Sequence, residues 1–144
     1  MDKAAMEAVI RSSLVCRLAL ADARGPYVVP MSFGYRDGVL YFHGGATGRK
    51  VEIIRKDPRV CVEFEVDVEI RPGKEACRTG MKYRSVIAFG TASFVEDREE
   101  KRRALQTLMN QYAEGEFGFP DAAVDRTTCF KVVIEEMTGK QAGQ

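Results

Sequence analysis

The apolar residues of this 144-residue chain recur with two different periods, and each period marks out a kind of element. Met6, Val9, Ile10 and Leu14 stand at helical spacing and predict a short helix that ends near Ser12-Ser13. From Val15 the period becomes that of a strand. Residues 15–20, a turn at 22–26 and a long second strand over 27–35 predict a hairpin. Asp37-Gly38 supplies the positive φ of a further tight turn, and residues 39–43 return as a third strand.

Thr47 reads as a helix cap, Val51 and Ile54 as an apolar stripe, and Asp57-Pro58 as the stop. Val62, Phe64, Val66, Val68 and Ile70 alternate with Glu63, Glu65, Asp67 and Glu69, which predicts a strand with its apolar side in the core. After a polar loop over 71–80, residues 83–95 predict a long strand bent at Gly90. Asp97 caps a helix with Glu99 and Glu100 in its first turn and Ala104, Leu105, Leu108, Met109 and Tyr112 along one face. A Gly-rich link through Phe117 and Phe119 leads to a final strand over 128–136 and a short polar tail. There is no repeat and no composition shift, so residues 1–144 read as one domain. Hairpins interrupted by a few helices do not build a doubly wound parallel sheet. They predict a mainly β, α+β architecture, a closed or split antiparallel barrel.

Charge narrows the partners. Lys and Arg number 22 against 21 Asp and Glu, a net charge of +1, without the basic excess that displaces counterions from nucleic acid. Any anion site is therefore local. No stretch approaches the roughly 20 apolar residues needed to cross a bilayer, and the N-terminus leads into an amphipathic segment, so neither membrane nor nucleic acid is an expected partner and the cytoplasm is the expected location. Cys16, Cys61, Cys77 and Cys129 are widely spaced and the chain has one histidine, which argues against a metal site. Cys77, beside Arg78 and Lys82, is either an activated thiol or an ordinary loop cysteine.

The segment 41–50, Tyr-Phe-His-Gly-Gly-Ala-Thr-Gly-Arg-Lys, is a strand, a Gly-rich loop and a helix start. It is not a Walker loop, because Arg49 precedes Lys50 and Val51 follows it. Two cations in the first turn of a helix oppose its dipole unless an anion joins them. Two readings stay open on this ground: a phosphate held by Arg49, Lys50, Thr47 and backbone N–H groups, or two side chains in water with Arg49 near Glu52 or Glu63.

This segment, with 53–60 after it, resembles the FMN-binding split barrels, the superfamily of the pyridoxamine 5′-phosphate oxidases. Cys16-Arg17-Leu18-Ala19, the run 27–35 and Met81-Lys82-Tyr83-Arg84-Ser85-Val86 resemble its nitroimidazole-resistance (Nim-type) branch in particular, over about residues 13–140. The resemblance implies a six-stranded split barrel that forms a homodimer, with FMN in two clefts between the subunits. It implies that Arg49 and Lys50 grip the FMN phosphate with Thr47 and Gly48 beside them. Val29, Pro30, Met31 and Ser32 match the strand facing the flavin ring, and Ser85 matches a polar residue turned toward it. His43 matches a histidine close to the flavin, where a side chain of a type that titrates near neutrality can donate a proton. The basic C-terminal residues with which pyridoxamine phosphate oxidases hold their substrate's own phosphate have no counterpart in 137–144, so vitamin B6 oxidation is not expected. Phe117 and Phe119 either stack on a flavin or pin a loop. The implied function is an FMN-dependent oxidoreductase acting on small molecules such as nitro-aromatics; the alternative is a flavin or haem carrier without turnover.

Overall fold

The computed structural model describes residues 1–143. Four α-helices and seven strands follow in the order α1 (Lys3–Ser12), β1 (Cys16–Asp22), β2 (Gly25–Met31), β3 (Gly34–Arg36), β4 (Val39–Gly44), α2 (Arg49–Lys56), β5 (Arg59–Arg71), β6 (Gly80–Val95), α3 (Arg98–Asn110), α4 (Asp121–Arg126) and β7 (Thr128–Ala142). All strand pairs are antiparallel, in one sheet of order β2-β1-β5-β6-β7-β4-β3. The architecture is mainly β within the α+β class. Among the described residues no helix is long and apolar enough to cross a membrane.

Where six strands of a split barrel were expected, seven form an open sheet. The difference lies at 27–35, expected as one strand. There the chain leaves the sheet at Ser32-Phe33, with Phe33 buried and its N–H donated to the Tyr112 hydroxyl at 3.0 Å. The two pieces, β2 and β3, stand at opposite edges of the sheet although only two residues separate them. Three Cα steps span at most about 11 Å, so the edges are drawn together at this seam and the sheet curls around its core. Leu18, Phe33, Leu40, Phe42, Val62, Phe64, Val86 and Phe130 fill that core, with Val9 and Ile10 of α1 buried beside them. A second cluster, Val95, Leu105, Leu108, Val124 and Cys129, packs α3 and α4 against the opposite face of β7 and β4.

Several local expectations shift. Leu14 does not continue the apolar stripe of α1; it lies past Ser13, where the helix has ended, and is 71% exposed. Only the first part of the β5 alternation is buried. Asp67 adopts φ 57°, the pairing shifts between Val66 and Glu69, and the rest of β5 runs beyond the core, leaving Val68 and Ile70 exposed. The polar tail is strand: residues 137–142 pair with 83–88 of β6. The link after α3 contains α4, whose six residues are too few to show a period. The bend at Gly90 is present as a bulge, since Phe89 opposes Glu136 and Gly90 opposes Ile134, leaving Glu135 unopposed. A β-carbon on Gly90 would lie 2.2 Å from the Val133 carbonyl oxygen, so this crossing admits glycine alone.

Candidate functional site

The segment joining β4 to α2 is the irregular corner expected of an anion site. Thr47 is not the cap. Helix α2 begins at Arg49, Gly48 takes the capping position at φ 124°, and no side chain caps the N-terminus. The free N–H groups of the first turn are thus left to water or to a ligand. Thr47 and Gly48 are both exposed beside them.

Arg49 and Lys50 meet different neighbours at this corner. Arg49 reaches the end of the β1–β2 hairpin, where its guanidinium lies 4.4 Å from the Tyr27 ring centroid. Its nearest carboxylate, Asp22, is 3.8 Å away and already engaged by Arg24, which donates to it from the backbone at 2.9 Å and from Nε and Nη2 at 3.0 and 2.8 Å. Those Arg24 hydrogen bonds hold the Asp22 carboxyl below its ordinary range. Arg49 Nε is buried with no hydrogen-bond partner among the described residues. Lys50 lies over Gly44: a β-carbon there would lie 3.7 Å from its Nζ. A buried donor without an acceptor and two under-neutralised cations at open helical N–H groups fit the phosphate of a flavin mononucleotide.

Val29 and Met31 turn their side chains to the core, packed beside Leu18, while Pro30 and Ser32 are exposed. The strand β2 is a sheet edge, so the backbone groups on its outer side have no strand partner. A ligand lying along it meets backbone more than side chain.

His43 is the last-but-one residue of β4, opposite Cys129 of β7 and next to the Gly44 over which Lys50 lies. It is exposed on one side and lines a pocket of about 240 Å³ with Leu105, Leu108, Met109, Phe119 and Val124. Ser85 stands apart. It lies on β6 between Glu65 and Lys140, with β5 and β1 separating it from β2, so one chain does not bring it to Ser32.

Tyr27, Asp22 and Tyr112 shape the site in roles that their expected places, a strand start, a turn and the apolar face of a helix, do not announce. The first two sit in a hairpin remote in sequence from Arg49. Tyr112 follows α3, accepts from Phe33 and donates to the Leu14 carbonyl at 2.9 Å, fixing the seam. No local pattern reports such contacts.

The outward face of β2, β1, β5 and β6 carries exposed apolar side chains. Val28, Ala19, Cys61 and Phe89 lie side by side across it, and the next row is Pro30, Arg17, Glu63 and Ile87. Val28, Phe89 and Ile87 are exposed, and Arg17 pairs with Glu63 at 3.7 Å.

The family described as pyridoxamine 5′-phosphate oxidase matches residues 2–141. No curated protein matches the chain. Among solved structures it is similar to a candidate 5-nitroimidazole antibiotic resistance protein from Bacteroides thetaiotaomicron, with 36% identity over 96% of this chain and 82% of that one and a TM-score of 0.87. It is also similar to an FAD-binding protein from Mesorhizobium loti, with 26% identity, 99% and 96% covered, and a TM-score of 0.72. The FAD and heme binding protein from Mycobacterium smegmatis, 16% identical with 99% and 72% covered and a TM-score of 0.89, shares the fold. The family match spans nearly the whole chain, and the chain belongs to the pyridoxamine 5′-phosphate oxidase-like family, with a nitroimidazole-resistance neighbour.

Proposed function

We propose that this chain is an FMN-binding oxidoreductase of small molecules, nitro-aromatics among them, working as a homodimer. The observation that carries the reading is Arg49: among the described residues its buried Nε lacks an acceptor and the one carboxylate it pairs with is held by Arg24, and it stands at an open helix N-terminus. Arg49 and Lys50 bind the FMN phosphate, with Thr47 and Gly48 alongside. The edge of β2 at Val29, Pro30, Met31 and Ser32 presents backbone groups to the ring and keeps water from that side. When bound, FMN supplies two-electron chemistry between an external reductant and an acceptor. His43, as an imidazolium, gives a ring proton to the reduced acceptor and takes one back from water, and the apolar wall behind it holds an uncharged organic molecule in preference to water.

The dimer reading rests on exposed Val28, Phe89 and Ile87 in two adjacent rows, an apolar face that a second copy of the chain would cover. Ser85 lies two residues before Ile87 and faces the same way, so in such a dimer it serves the partner's cleft rather than its own.

The test is steady-state reduction of a nitroimidazole by FMN-loaded protein, with His43→Ala as the control. Turnover that falls in the variant while FMN stays bound supports the reading. FMN binding with no turnover on any nitro compound would instead support a carrier, the second reading, for which His43 at an apolar pocket is the favouring observation.

A further inference from the structure

One cleft of the molecule involves none of the residues assigned to the flavin. It has a volume of about 610 Å³, within the range of small-molecule sites, and opens between β3, α3 and the segment 116–119. Helix α3 has two faces. Ala104, Leu105 and Leu108 go to the core, while Arg102, Arg103, Gln106, Thr107 and Asn110 recur at helical spacing and form one wall of the cleft. A polar stripe on a surface helix ordinarily faces open water. This one faces a second wall containing Phe117 and Phe119.

That second wall is irregular chain held in place. Gln106 donates to the Gly115 carbonyl at 2.9 Å and accepts from the Phe117 N–H at 2.9 Å, and Asn110 donates to Gly115 at 3.0 Å. Arg102 donates to the Phe119 carbonyl and pairs with Asp121. The amides and Arg102 are thus consumed in building the cleft, which is preformed.

Two lining cations remain unused. Arg103 has no side-chain hydrogen bond or ion pair among the described residues. Arg36 meets only its neighbour Asp37, at 3.6 Å with the two side chains 69% and 87% exposed, a pairing that solvent screens. Arg36, Arg103 and Thr107 also line an adjoining cleft of about 320 Å³, so they form the ridge between the two. Against them Glu116 is the one carboxylate in the wall of the larger cleft.

We propose that this cleft binds an aromatic phosphate of mononucleotide size, its ring against Phe117 and its phosphate on Arg36 and Arg103. The chemistry follows from the lining. A guanidinium pair matches a phosphate by directed N–H donation, and an aromatic wall matches a planar ring. The volume exceeds what inorganic phosphate alone would fill.

The experiment is calorimetric titration of the FMN-saturated protein with adenosine 5′-monophosphate, repeated with adenosine and with inorganic phosphate, while the visible flavin absorbance is followed. Saturable binding of one nucleotide per chain, tighter than either fragment and without flavin release, is the expected result. Arg103→Gln and Arg36→Gln should each weaken it roughly tenfold or more, and Phe117→Ala should weaken it several-fold, as loss of charge-assisted and stacking contacts predicts. Arg36 and Arg103 are exposed, so both glutamine variants should melt with the parent protein. Adenosine binding as tightly as the nucleotide, unchanged affinity in both arginine variants, no saturation up to ~10 mM, or displacement of FMN would each overturn the proposal. If the protein takes up no FMN at all, the same titration on the protein as purified decides this cleft independently of the flavin reading.

Discussion

The guanidinium of Arg49 rests on the ring of Tyr27, 4.4 Å from its centroid, joining the first turn of α2 to the end of the β1–β2 hairpin. Arg49 therefore works in two ways, as a contact within the fold and as a cation still lacking an acceptor at Nε. Lys50 has only the second kind of task. Each alanine substitution should weaken FMN binding by about 1.5–3 kcal/mol, roughly ten- to a hundredfold. In FMN-free protein Lys50→Ala should leave the melting temperature unchanged or higher, and Arg49→Ala should cost about 1 kcal/mol or less. Paired melting with and without FMN measures both. Riboflavin binding as tightly as FMN would remove the phosphate assignment.

The outward apolar rows on β2, β1, β5 and β6 predict assembly. The parent protein should sediment as a dimer at micromolar concentration, and Phe89→Glu should shift it to monomer, because the substitution places a charge among Val28, Ala19 and Cys61. The outward position leaves the core intact, so the monomer should stay folded. A parent monomer that retains FMN in the ultracentrifuge would sink both the dimer and the shared cleft.

Gly90 stands where β6 crosses the bulge of β7. Its would-be β-carbon collides with backbone, the Val133 carbonyl oxygen at 2.2 Å, and no rotamer change relieves that. Gly90→Ala is expected to lower stability by ~1–3 kcal/mol or more, read from urea denaturation. A glycine-to-alanine change at Gly80, where nothing lies within 4 Å, is the matched control and should change little.

Asp57 closes α2 and accepts hydrogen bonds from Arg59, from the backbone N–H at 3.1 Å and from Nε and Nη2 at 3.0 and 2.8 Å. The Arg59 side chain, first of all, holds its carboxyl down to about 2. A folded-state value below the unfolded one means a contribution that is complete above the ordinary carboxylate range near ~4 and lost as pH falls through that lower value. Denaturation midpoints of the parent and Asp57→Asn should therefore differ at neutral pH and converge toward pH 2. A difference that stays constant with pH would contradict this.

Elements whose causes are local follow from residue order alone. Asp97 caps α3 through its bond to the Glu100 N–H, as its residue type and position predict. The hairpin at Asp37-Gly38 and the buried alternation through Val62 and Phe64 follow from two- and four-residue patterns. The basic pair at 49–50 was legible for the same reason, being an electrostatic oddity within one helical turn. Tertiary structure alone decided where those charges go. Lys50 lies over Gly44, close to it in sequence, but Arg49 meets the Tyr27 ring of the β1–β2 hairpin, a contact that no local pattern encodes. It also broke the 27–35 run into two edge strands, since Phe33 finds its burial and its hydrogen bond with Tyr112, 79 residues away. The polar tail became strand because β6 offers it a free row of backbone partners, and a backbone ladder is indifferent to the side chains that made 137–142 look like coil. Periodicity reports which side of an element is apolar. Which partner covers that side, and which polar groups are left without one, is settled only when distant segments meet.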